Sequence, residues 1–176
     1  MSIMAKRLLF FVFFLFIPNS YCQDAKSIFD IARKGSLEDI EVFLKANPNT
    51  IDAVNNNGFT PLILACYSGN NKIATHLIEK GCDINYKSEM GTALMAAVVR
   101  GNTEMVTILL NHNADINSTD DNGVTALLFA VKFTNVEIIK ILLSHKADKT
   151  LMDKEGKTAF EYAVLSGKEE IINLLK

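Results

Sequence analysis

The chain has 176 residues, 49% of them hydrophobic and 22% charged, with a formal net charge of −2 and three cysteines. That mildly acidic, well-mixed balance offers no attraction for the phosphates of nucleic acid or for an anionic membrane surface, so neither is expected as a partner.

Residues 1–22 are unlike the rest. Lys6 and Arg7 form a basic start, Leu8 to Ile17 is an unbroken apolar run, and Pro18-Asn19-Ser20-Tyr21-Cys22 ends it. That succession is the pattern of a secretory signal peptide. The apolar run is ten residues long, against ~20 needed to span a bilayer. The expectation is therefore export, to the periplasm or beyond the cell, with no membrane insertion of the mature chain. Cleavage before Gln23 would follow a loose small-x-small exit, Ser20-Tyr21-Cys22. Lipidation of Cys22 is the rival, although Asn19 and Tyr21 stand where lipoprotein signals carry a large aliphatic and a small residue. The segment holds two positive charges and no negative ones, so its loss would shift the net charge from −2 to −4.

From residue 24 onward the chain repeats itself. Thr60, Thr92, Thr125 and Thr158 are spaced 32, 33 and 33 residues apart. Two residues after each comes an apolar side chain (Leu62, Leu94, Leu127, Phe160), and five after comes alanine (Ala65, Ala97, Ala130, Ala163). Nine after come Gly69, Gly101, Thr134 and Gly167. A period of this size marks a stacked array. Within a unit, Asn57-Gly58 and Asn122-Gly123 tolerate the positive φ of a tight turn. Each threonine then reads as a helix N-cap. Pro61 suits the first helical position, and Thr158 with Glu161 has capping-box spacing. The first helix is rich in small residues, and a second follows with a broad apolar stripe, as in Ile138, Ile139, Ile141, Leu142 and Leu143. Turn, helix, turn, helix is a unit that cannot bury its own apolar face, so the fold class predicted is an all-α repeat solenoid.

Residues 24–56 form a degenerate first unit in which Lys26 takes the place of the threonine and charged residues suit an N-terminal cap. The next units are 57–88, 89–121 and 122–154. One residue is missing at Tyr86-Lys87-Ser88-Glu89-Met90, which predicts an irregular turn there. The last unit, 155–176, is polar along its second helix, as a C-terminal cap would be. Gly58-Phe59-Thr60-Pro61-Leu62, Ala65 with Gly69, and Ala114-Asp115-Ile116-Asn117 resemble the ankyrin repeat, and the resemblance covers essentially everything after residue 23. It implies helix-turn-helix units joined by β-hairpin loops.

Residues with chemical potential are absorbed by this pattern. Gly156-Lys157-Thr158 resembles the end of a phosphate-binding loop, but Leu151 occupies the position of the required earlier glycine. His112 and His145 hold equivalent places in neighbouring units, and packed layers would separate them by ~8–10 Å with no third ligand. His76 stands where Ile108 and Ile141 stand later and reads as a partly covered helix residue. No serine, histidine and acid are placed to make a triad. Cys66 and Cys82 read as small buried residues that an oxidising compartment could also join. Asn117-Ser118-Thr119 is a glycosylation sequon. No metal, cofactor or catalytic site is expected.

The resemblance further implies binding through hairpin tips and the exposed side of the first helices, which together form a concave strip. Carried over by position, the strip contains Phe59, Val124 and Lys157 beside the turns, and Tyr67, Val99, Arg100, Lys132, Phe133 and Leu165 on the first helices. Ser68 and Ser166 join them, and the tips run from Asn56-Asn57 through Ser88-Glu89 and Asp121-Asn122 to Lys154-Glu155. Phe59, Tyr67, Val99, Val124, Phe133 and Leu165 are apolar where a plain solvated face would be polar, which favours a docking surface. The other possibility is that some of them fold into the stack. The function expected is non-enzymatic: an exported monomer that binds a partner protein, as scaffold or protective partner. Alternatives are an inhibitor or immunity-type protein and a lipid-anchored envelope element.

Overall fold

Each threonine of the repeat caps a helix. Its hydroxyl accepts from the amide three residues on, at 3.3 Å for Thr60, 3.5 Å for Thr92, 3.2 Å for Thr125 and 3.4 Å for Thr158. This satisfies one of the amides that a helix start leaves without an internal partner. At Thr158 the Glu161 carboxylate also accepts from the threonine amide, at 2.6 Å, which completes a capping box.

This computed structural model describes residues 26–176. The signal-like segment, the cleavage point before Gln23 and Cys22 lie outside the described residues. Ten α-helices follow in pairs: α1 (Ile28–Lys34), α2 (Leu37–Ala46), α3 (Pro61–Ser68), α4 (Asn71–Glu79), α5 (Ala93–Arg100), α6 (Thr103–Asn111), α7 (Ala126–Lys132), α8 (Val136–Ser144), α9 (Ala159–Ser166) and α10 (Glu169–Leu175). Among the described residues there is no extended strand, only single antiparallel bridges that close the hairpins Ser88–Gly91, Thr119–Thr125 and Met152–Thr158. The fold is the expected all-α repeat solenoid.

Odd-numbered helices stack on one another, and so do even-numbered ones. The odd-numbered layer packs more closely, so the array curves with those helices on the inside. The cause is legible in side-chain size: Ala65, Ala97, Ala130 and Ala163 are fully buried between the layers. Leu62, Leu94 and Leu127 fill the spaces between successive units, with Ile73, Leu77, Met105, Leu109, Ile138, Ile139 and Leu142 from the even-numbered helices.

The closing loops are joined by a ladder of polar contacts. Asp52 Oδ1 accepts from the Asp83 amide (2.8 Å), Asn85 Oδ1 from Asp115 (2.7 Å) and Asn117 Oδ1 from Asp148 (2.9 Å). Asp83, Asp115 and Asp148 also accept, through their own carboxylates, the amide two residues on. The Asp-x-Asn signature thus ties the second unit to the third and the third to the fourth, which is its physical reason for recurring; from the first unit the Asp52 carboxylate makes the equivalent link.

Two expectations need correction. The first unit does have a cap: Ser27, not Lys26, holds that place, and its hydroxyl accepts from the Asp30 amide at 3.2 Å. Lys26 lies nine residues before Gly35, as Thr60 does before Gly69, but this count is one residue out because α1 has seven residues where α3 has eight. The shortened hairpin between the second and third units is also regular. Ser88 and Gly91 exchange two backbone hydrogen bonds, at 3.1 and 3.0 Å, across a two-residue loop. Its neighbours enclose three residues, as in Asn55 to Phe59. Deleting one residue tightened the turn and left the stack in register.

Candidate protein-docking surface

Three of the hairpins share one construction. Asn55, Asp120 and Asp153 each present Oδ1 to the amides two and four residues on, at 2.8–3.1 Å. A glycine with positive φ completes each loop: Gly58, Gly123 and Gly156. Adjacent hairpins touch, with the Asp121 amide donating to Glu89 O (3.2 Å) and the Lys154 amide to Asn122 O (2.8 Å). The tips of the last three hairpins therefore form a continuous edge.

Beside that edge lies the inner face. The last turns of α3, α5, α7 and α9 present equivalent residues in file: Tyr67, Val99, Lys132 and Leu165, then Ser68, Arg100, Phe133 and Ser166. Tyr67 is 60% exposed, Val99 37%, Phe133 55% and Leu165 69%. Arg100 and Lys132 are exposed as well. Six of the nine predicted contacts are therefore solvent-facing, in two adjacent rows on this face. Phe59 and Lys157 are half-covered beside the turns.

Val124 does not belong to the surface. It is only 5% exposed, and its side chain joins the core cluster. Ser88, expected at a tip, is also buried; its hydroxyl donates to Gly91 O at 2.7 Å.

Two residues were missed. Phe129 stacks on Phe133, with ring centroids 6.3 Å apart and planes 10° from parallel. Tyr162 lies beneath two cations: Lys132 Nζ is 4.3 Å and Lys157 Nζ 5.6 Å from its ring centroid. The Tyr162 hydroxyl donates to Asp153 Oδ2 at 2.6 Å, and Lys132 reaches the same oxygen at 3.4 Å. Both aromatics stand four residues after a cap threonine, one turn before the predicted contacts at the eighth position, so helical spacing could have revealed them.

Asp153 is held down to about 2 by the Tyr162 hydroxyl first, against the cost of burial, with the Lys157 and Glu155 amides and Lys132 assisting. Tyr162 is raised mainly by the same hydrogen bond, and Lys157 is raised by Glu155, 2.8 Å away. These groups form a fixed polar clasp between the fourth and fifth units.

The other reactive residues have structural partners. His112 and His145 are exposed, and their Nδ1 atoms lie 2.9 Å from Ile108 O and Ile141 O, at the ends of α6 and α8. No group of three metal-ligating side chains occurs among the described residues. His76 is half-covered, with Nδ1 4.0 Å from Glu41 and Nε2 buried without a hydrogen-bond partner. Cys66 and Cys82 are free and buried. Burial raises Cys66 far above the usual thiol range, and burial with the charges of Asp52 and Asp83 raises Cys82 to about 12. Neither supplies a thiolate at neutral pH. No described helix is long and apolar enough to cross a membrane.

A family model described as "Ankyrin repeats (3 copies)" matches residues 28–120 and again residues 94–176. No curated protein matches the sequence.

Proposed function

The chain belongs to the ankyrin-repeat family, and from that premise we propose that it is a non-enzymatic module that docks one partner protein on its inner face, outside the cytoplasm. Ankyrin repeats are generic protein–protein interaction modules, so a protein partner is the coarse expectation of membership alone. The observation that supports the finer reading is the group of exposed apolar residues, Tyr67, Val99, Phe133 and Leu165, at the ends of α3, α5, α7 and α9. Exposed apolar side chains in contiguous array mark interaction sites, and large aromatics with arginine supply most of the energy in such sites. Stacking into a solenoid holds the file rigid, so little side-chain freedom is lost on docking.

Action outside the cytoplasm rests on the sequence of residues 1–22 alone: two basic residues, an apolar run and a polar exit. The module serves as scaffold or protective partner in this reading. Placed over a partner's active site, the same docking would inhibit it, and an activity assay on the captured partner separates the two.

The test replaces Tyr67 and Phe133 by Asp together. Both side chains are exposed, so helicity should be retained while binding of a partner captured from the extracytoplasmic fraction is lost. Unchanged affinity in the double variant would place the docking surface elsewhere.

A further inference from the structure

The charges along the inner file are all of one sign. At the seventh and eighth positions after each cap threonine stand Tyr67 and the half-covered Ser68, Val99 and Arg100, Lys132 and Phe133, Leu165 and Ser166. Two are cations and none is an anion, in a chain with 18 basic and 20 acidic residues. The acids lie elsewhere: Asp83, Asp115 and Asp148 in the closing loops, Glu104, Glu137 and Glu170 on the even-numbered helices, and Glu89, Asp121 and Glu155 at the tips.

The two cations differ in their state. Lys132 is engaged with Asp153 and the Tyr162 ring. Arg100 makes no ion pair or hydrogen bond to any side chain among the described residues, and it is exposed. Its guanidinium crosses to the preceding unit and lies over Gly69: a Cβ built there would be 3.4 Å from Nε and 3.9 Å from Nη2. That places it at the C-terminal end of α3, where the helix dipole favours a cation. An arginine held in this way presents a planar fork suited to one carboxylate.

We infer that the partner segment seated on the inner face carries an aspartate or glutamate that pairs with Arg100, flanked by apolar side chains that cover Tyr67 on one side and Phe133 on the other. This rests on the docking surface proposed above and specifies its occupant. A nucleic acid is a poor fit, because phosphate backbones bind through many released counterions and the rows from α3 to α9 have one uncommitted cation. A wholly apolar segment is also a poor fit, since it would cover the guanidinium and leave its charge unpaired.

The probe is a displayed library of random peptides of about 12 residues, long enough when extended at ~3.3 Å per residue to cross four units spaced ~8–10 Å apart. Peptides are selected on the purified protein and remeasured individually. The expected result is enrichment of an acidic residue between apolar ones. Arg100→Gln should then weaken such a peptide about tenfold or more, as for other hydrogen bonds to charged groups. The same peptide with its acid changed to the amide should bind wild type and Arg100→Gln alike. Apolar peptides with no acidic preference, lost in the Tyr67/Phe133 double variant but indifferent to Arg100→Gln, overturn the carboxylate and leave the docking surface standing. Peptides indifferent to all three substitutions, or no enrichment on the wild type, overturn both.

Discussion

Leu127→Ala probes the stack at its centre. Leu127 lies in α7, is 1% exposed, and fills the space between successive units together with the equivalent Leu94. The substitution removes three carbons from this site. At ~0.8 kcal/mol per buried methylene the transfer loss is roughly 2.4 kcal/mol. The cavity left behind adds to it, toward the ~2–5 kcal/mol typical of buried leucines. The matched control is Leu165→Ala, the same chemistry at a site 69% exposed, where surface substitutions stay within about 0.5 kcal/mol. The assay is urea unfolding followed by helical circular dichroism. Because each unit contacts only its neighbours, a defect in the fourth of five units weakens two interfaces and should lower cooperativity as well as the midpoint. Equal costs for the two variants, or a Leu127→Ala cost below about 1 kcal/mol, would falsify the stacking account.

The Asp153 clasp predicts a pH dependence. Its carboxyl falls from the ordinary 3.8 to about 2 in the folded chain, so the folded state favours the charged form. The stability this supplies is complete above the unfolded value and is lost as pH falls from 3.8 toward 2. Asp153→Asn should keep the hairpin, since Asn55 performs the same turn with an amide. The stability gap between wild type and Asp153→Asn, read from urea midpoints, should therefore narrow across that window; a constant gap refutes the assignment. Gly123→Ala and Gly58→Ala separate two roles of the turn glycine. Both have positive φ, 77° and 78°, so each alanine meets the left-handed penalty of ~1–2 kcal/mol. Only at Gly123 would the new Cβ also press on backbone, 3.2 Å from Asp153 Cα and Lys154 N, while Gly58 has open space. Gly123→Ala should lower the thermal midpoint more; equal shifts would mean that neighbouring hairpins do not touch as described.

Much of this protein was legible from short-range pattern alone. The threonine period, the alanines and the Asp-x-Asn signature act within one turn or between adjacent turns. Cap hydrogen bonds and small-residue packing are set by neighbours in sequence, so the repeat, the fold class and the file of exposed positions follow from the letters. The first unit's phase was misplaced because a degenerate cap gives weak local signal, and Ser27 emerged only from the backbone.

Contacts between units were decided by tertiary structure. Val124 and Phe59 hold equivalent places beside their turns, yet one is buried and the other half-covered, because burial depends on which hairpin lies against each. Phe160 and Val164 are exposed although their counterparts Leu127 and Val131 are not, since no described unit follows to cover them. Arg100 and Lys132 look alike as letters. Stacking brought Asp153 and Tyr162 under the lysine and left the arginine beside Gly69 without an ion pair among the described residues. A repeat determines what each unit is by itself; the charge and greasiness it shows a partner are decided by what the next unit places against it.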